Sequence, residues 1–357
     1  MPFAESVRRA AVPAAAAATV ALLVPVAPVH AAATSASPSA SVTAPASTSV
    51  SATVETAPVS HSGDAADDPA IWVHPTDPAR SVVVGTDKKG ALEVYDMTGA
   101  RIQRISGDHG NNVDLRGNIV VTADDEAAGG SGAMHVYRID PATRRLTRLK
   151  DVPTEVTAHG ICLYTSPVSG KLYAFPNSTS GRVEQWELAV SGNSVTATSV
   201  RLWDAGSAVE GCYADDATGK LYLGEEDVGV WIYGAEPTAG ARRTALDSTG
   251  SGGRITADTE GITAAGNRIY VSSQGSDDFT VHDRTTHAYL GRFSVAGGTA
   301  ADDCEDTDGI DATAADLGPA FPQGVFVCQD GSNGTPGGSG NQNFKLVPLQ
   351  RITAHFS

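Results

Sequence analysis

Past residue 32 the chain has no apolar run long enough to span a bilayer, so no later segment is expected to cross a membrane. Histidines number 9 and cysteines 4, with no paired thiolates at metal spacing, so no zinc-type motif stands out. Basic side chains are also in deficit, with 25 Lys and Arg against 41 Asp and Glu. The net charge of −16 and a pI near 4.8 make nucleic acid and anionic membrane surfaces poor partners. Helical periodicity is scarce, and no Gly-x-Ser-x-Gly nucleophile arrangement occurs.

What the chain does contain is a repeat. A carboxylate- or amide-rich step, usually ending in Gly or Pro, opens an apolar run, and a second run closes on another polar cluster. Asp67-Asp68-Pro69 opens the first copy and Lys88-Lys89 closes it; Asn111-Asn112-Val113-Asp114 and Asp124-Asp125 bound the second. His159-Gly160, Glu210-Gly211, Glu260-Gly261 and Asp308-Gly309 open four more, closing near Asn177, Glu225-Glu226-Asp227, Gln274 and Gln329-Asp330. The period of roughly 45 to 50 residues is that of a four-stranded blade, so the expected fold is all-β, a six-bladed β-propeller. Asp215 to Gly219 reads as a plain turn between strands.

In a propeller the innermost strands line a channel, and equivalent positions of successive copies form a ring around it. Asp67, Asp68, Asn111, Asn112, Asp114, Glu210, Glu226, Asp258, Glu260, Asp308 and Asp330 are therefore expected at one mouth. Any one such cluster alone reads as a hairpin device, but recurrence of carboxylates in all copies does not follow from turn chemistry. Crowded carboxylates repel and take up protons unless a cation neutralises them. All-oxygen donors select a hard cation, and calcium suits them better than zinc. Several calcium ions would turn the acidic mouth positive and admit a phosphorylated substrate, with Lys88 and Lys89 placed to touch it.

Residues 1–32 have Arg8-Arg9, an apolar stretch and small residues at the end, the layout of a secretory signal, with an uncleaved anchor as the alternative. Residues 33–53, nearly all Ala, Ser, Thr, Pro and Val, are expected to be a loose linker, and 54–357 the propeller. Export would permit disulfides. Cys162 and Cys212 occupy matching places in consecutive copies and Cys304 and Cys328 flank the last, as bonded pairs or as small buried apolar residues. A closed ring has no sheet edge demanding a partner, so a secreted, extracellular monomer is expected.

Residues from about 55 to 351 resemble the β-propeller phytases, calcium-dependent enzymes that hydrolyse myo-inositol hexakisphosphate. The resemblance is carried by Gly63 to Trp72, Gly85-Thr86-Asp87-Lys88-Lys89-Gly90, Asn111 to Asp114, Glu210-Gly211-Cys212, Gly224 to Asp227, Ser272 to Gly275, Asp306 to Asp311, Gln329-Asp330-Gly331 and Asn341 to Lys345. It implies that Glu55, Asp68, Pro69 and Val113, with Asn112 nearby, hold a calcium that tethers the start of the chain. It implies a second calcium on Asp302, Asp330 and Asn333. Glu210, Glu226, Asp258, Glu260, Gln274 and Asp308 would line the catalytic pocket with Asp67 beside them, and Lys88 and Lys89 would contact substrate phosphate.

The departures from the family pattern are specific. Ala123-Asp124-Asp125-Glu126 replaces a step that usually holds an Asn-Arg pair, which removes a bidentate phosphate partner. His159 stands for a usual Tyr, Thr179 for a usual Lys and Ser332 for a calcium-binding Glu. Arg182 is a candidate replacement cation, and His159 either binds phosphate, acts as a general acid or is structural. The expected chemistry is attack of a metal-activated water on phosphorus, weakening in acid as carboxylates take up protons. The alternatives are a non-catalytic calcium-binding propeller and a phosphatase for another phosphate ester.

Overall fold

Short apolar runs bounded by Gly, Asp and Asn become strands. In a computed structural model describing residues 46–127, 132–334 and 340–356, 25 strands, one short α-helix and two single-turn 3-10 helices account for the regular structure. The chain enters through β1 (Ala46–Val50) and β2 (Val54–Glu55). Blade 1 is β3 (Ala66–Trp72), β4 (Val82–Asp87), β5 (Ala91–Asp96) and β6 (Arg101–Ser106). Blade 2 is β7 (Gly110–Arg116), β8 (Ile119–Asp124), β9 (Ala133–Asp140) and β10 (Arg145–Pro153). Blade 3 is β11 (Leu163–Thr165), β12 (Leu172–Ala174), β13 (Arg182–Ser191) and β14 (Ser194–Asp204). Blade 4 is β15 (Val209–Asp215), β16 (Lys220–Glu225), β17 (Gly229–Gly234) and β18 (Arg243–Ser248). Blade 5 is β19 (Thr259–Ala265), β20 (Arg268–Ser273), β21 (Asp278–Asp283) and β22 (Tyr289–Val295). Blade 6 is β23 (Ile310–Thr313), β24 (Val325–Asp330) and β25 (Asn343–Pro348), followed by α1 (Leu349–Thr353).

Each blade is an antiparallel meander, and β2 completes blade 6 by pairing antiparallel with β25, Val54 opposite Leu346 and Glu55 opposite Lys345. The middle strands are buried on both faces, which is why β4 and β24 read as continuous apolar runs rather than alternating ones. The outer β10 alternates, as a half-exposed strand does. The core is divided into six apolar clusters, one between each pair of neighbouring blades. Trp72, Val84 and Leu92 meet Val120 and Tyr137 between blades 1 and 2, and Phe279 and Phe293 meet Phe326 between blades 5 and 6.

One sequence expectation changes here and one open alternative is decided. The linker expected over 33–53 is not loose throughout, because Ala46–Val50 adds β1 as a parallel fifth strand to blade 5, beside β22. Such a segment needs little apolar surface of its own, since an existing edge supplies its backbone hydrogen bonds and the buried Val50 anchors it among the core residues of blades 5 and 6. Both cysteine pairs are disulfides, Cys162 to Cys212 and Cys304 to Cys328. The signal expected over 1–32 lies outside the described residues.

Candidate active site

Four inner strands carry the same irregularity where the sequence places its polar step. Between Ala66 and Pro69, Gly110 and Asn112, Val209 and Cys212, and Thr259 and Ile262, one extra residue interrupts the pairing with the next strand. Asp67, Asn111, Glu210 and Glu260 fall in these bulges. A bulge removes a residue from the ladder and re-aims its side chain. The glycine of the opening step lets neighbouring blades close up: at Gly309 a Cβ would lie 2.2 Å from an Asp68 carboxylate oxygen, and its amide donates to the Asp67 carbonyl at 3.1 Å.

The side chains meet as follows. Lys88 Nζ lies 2.8 Å from Asp67, 2.9 Å from Asp64 and 3.7 Å from Asp308. Gln274 Nε2 donates to Asp308 at 2.6 Å, and Gln329 accepts from the Asp308 amide at 2.9 Å. Asn111 Nδ2 donates to Glu210 at 2.9 Å, and Asn112 Nδ2 to Asp67 at 3.3 Å. His159 spans two carboxylates, with Nε2 2.9 Å from Glu210 and Nδ1 2.7 Å from Asp125. Beside them an open pocket of about 420 Å³ is lined by Asp64, Lys88, Lys89, His109, Asn111, Asp125, Glu126 and His159.

Burial and then the charge of Glu210 push the Asp67 carboxyl up to about 7, against the pull of Lys88. Burial and neighbouring carboxylates hold Glu260 and Asp308 well above the usual range, and raise Glu226. Glu210 goes the other way: burial opposes its charge, but the hydrogen bond and charge of His159 outweigh it. For His159 burial opposes protonation, yet its bonds to Asp125 and Glu210 prevail and lift it to about 11. Lys88 likewise keeps its proton, because Asp67 and Asp308 outweigh its burial. Glu226 also feels the charge of Asp258, so Glu210, Glu226, Asp258, Glu260 and Asp308 form one electrostatic group, and Gln274 joins it through its hydrogen bond to Asp308.

The oxygen-only donors and the repulsion among Asp67, Glu210, Glu226, Glu260 and Asp308 fit a hard divalent cation. Asn112 Oδ1, buried and unpaired among the described residues, adds a neutral oxygen to that set. As they stand, no three His, Cys, Asp or Glu side chains among the described residues close to coordination spacing. Lys88 and His159 bridge the carboxylates instead.

Other expected positions lie elsewhere. Asp68, Pro69, Val113 and Asp114 line the channel itself, a cavity of about 190 Å³ that Asn112 and Glu210 also line from the mouth. Asp68 accepts from the Val113 amide at 3.0 Å, while Asp114 is paired with Arg116 at 3.1 Å and does not belong to the mouth. Glu55 does not join Asp68, Pro69 and Val113. Standing on the outermost strand of blade 6, it pairs with the fully buried Lys345 at 3.1 Å. Asp302, Asp330 at 3.0 Å and Asn333 at 3.4 Å surround the same ammonium, so the second expected ligand group exists with Glu55 added and a lysine at its centre. Arg182 opens β13, the third strand outward, and its half-exposed guanidinium reaches Glu155 at 4.0 Å rather than the pocket. Lys89 is at the pocket rim, donating to the Ser62 carbonyl at 2.8 Å.

Sequence reasoning missed Asp125, Lys345 and His109. Asp125 was visible only as a lost arginine, while His159 stood as a candidate phosphate binder or general acid; together they are one ion pair, a signal available by reading two departures in a single site jointly. Lys345 sat inside a quoted motif without a role, and nothing local singles out His109.

Comparison with known proteins agrees with this geometry. The family model described as Phytase matches residues 14–357. The 3-phytase of Bacillus subtilis (strain 168) is 37% identical, over 84% of this chain and 84% of that protein. Among solved structures, a protein of unknown function from Bacteroides thetaiotaomicron VPI-5482 superposes with a TM-score of 0.54 at 11% identity, over 85% of this chain and 75% of that one, a likeness of fold alone. With a six-bladed propeller, a carboxylate-ringed mouth and this match over nearly its whole length, the chain belongs to the phytase family of phosphoric monoester hydrolases.

Proposed function

We propose that this protein is an exported, calcium-dependent phytase that cleaves phosphate from myo-inositol hexakisphosphate. The observation that carries the reading is the convergence of Asp67, Glu210, Glu226, Glu260 and Asp308 on one mouth, beside the fixed cations Lys88 and His159. Calcium held by these carboxylates supplies charge neutralisation and a more acidic water. Lys88, charged and only partly exposed, offers its ammonium to the phosphoryl oxygens. His159 bonds to both Asp125 and Glu210, which favour its protonated form, and so is placed to orient Glu210 as a positive charge. Gln274 orients Asp308, and Lys89 at the rim faces the outer phosphates of a polyanionic substrate. Two disulfides suit an oxidising compartment, which supports export.

The test is phosphate release from phytate by the purified protein, with calcium and with a chelator. Release that needs calcium is expected. Release untouched by the chelator would remove the calcium dependence, and no release at all would favour a binding propeller. Faster release from a simpler phosphate ester would move the substrate.

A further inference from the structure

Blade 3 is built differently at the channel. Its innermost strand β11 has 3 residues where β3, β7, β15 and β19 each have 7. The segment leading into β11, which carries His159, makes a single bridge, Gly160 to Asn177, with the His159 amide donating to the Asn177 carbonyl and the Phe175 amide to the Cys162 carbonyl, both at 2.8 Å. His159 is thus held through one short bridge, where the longer bulged strands β3, β15 and β19 carry Asp67, Glu210 and Glu260. What joins this segment to blade 4 is a short stitch. Asn177 Nδ2 donates to the Glu210 carbonyl at 2.9 Å, and Gly160 presses so close that a Cβ would stand 2.1 Å from that same oxygen. The Cys162–Cys212 disulfide then ties the two segments, with Cα atoms 5.7 Å apart across a sequence separation of 50.

Cys162 follows His159 by three positions and Cys212 follows Glu210 by two, so the covalent link lies next to the ion pair between those residues. The other disulfide marks the same situation. Blade 6 has the second shortest inner strand, β23 with 4 residues, and Cys304–Cys328 tethers the irregular segment before it. We propose that Cys162–Cys212 is a positioning element for the reaction: it reinforces the short inner strand of blade 3 across to blade 4 and holds His159 Nε2 on Glu210. The kinetic consequence rests on the phytase reading of the site; the structural one does not.

The test compares the parent protein with Cys162→Ala/Cys212→Ala, with the volume-refilled Cys162→Val/Cys212→Ala, and with Cys304→Ala/Cys328→Ala as control. NMR of the imidazole N–H protons reads the clamp directly, with or without turnover. The His159 signals are expected in the parent and in the control, and broadened by exchange in both Cys162/Cys212 variants. Phosphate release from phytate adds a cycle with His159→Ala. Loss of the disulfide is expected to lower kcat roughly tenfold in the parent background, and by less than about twofold once His159 is gone. Unchanged imidazole signals, or losses that simply multiply in the cycle, would make the disulfide a stabiliser only and overturn the inference. A parent that releases no phosphate sinks the functional reading, and the imidazole comparison still decides this one.

Discussion

Glu210 and Asp67 are buried carboxylates of one mouth, yet burial leaves them in opposite states. His159 hydrogen-bonds Glu210 and keeps it ionised, whereas Asp67, beside the charge of Glu210, rises to about 7 even with Lys88 at 2.8 Å. Glu210→Gln removes the negative partner of His159 and one cation ligand together. Phosphate release is expected to fall by roughly a hundredfold or more with the circular dichroism spectrum unchanged. The Asp67 shift also carries a sign for stability. Its carboxyl binds a proton more tightly folded, at about 7, than its ordinary value of 3.8. The contribution is therefore present below 3.8 and disappears as pH rises through about 7. Calcium needs the ionised form, so it should raise the melting temperature far more at pH 8 than at pH 5. Equal stabilisation at the two pH values would contradict a carboxylate site.

At the scale of elements, the bulges make the site, β2 completes blade 6 and β1 extends blade 5. Their positions were half legible. The opening steps such as Asp67-Asp68-Pro69 and Glu260-Gly261 announced where polar groups gather, but the extra residue that turns Glu260 out of register depends on its pairing with β20. Gly309→Ala should bring a methyl group against Asp68 and the Asp67 backbone. An overpacking cost of about 1–3 kcal/mol is expected, measured as a lowered denaturation midpoint, with reduced activity. β1 was illegible for a different reason: an edge strand is recruited by backbone hydrogen bonds, which the composition of 33–53 does not record. Deleting residues 46–55 strips strands from blades 5 and 6 together, and a fall in melting temperature of about 5 °C or more is expected from calorimetry.

Across the molecule, every apolar core is shared by two blades, so no blade leaves the ring without opening two cores. Unfolding is expected as one calorimetric transition, and two well-separated transitions would contradict a closed ring. The sequence by itself determined the blade count, the family and the acidic character of the mouth, because these follow from periodicity, turn chemistry and residue type, all written locally along the chain. Only the tertiary structure decided which charges face each other. It paired His159 with Asp125 and Glu210, gave Glu55 to Lys345 instead of Asp68, and turned Arg182 to Glu155, away from the pocket. Those outcomes depend on the stagger between blades and the depth of each side chain in the ring, and electrostatic energy depends on those distances, not on order in the chain.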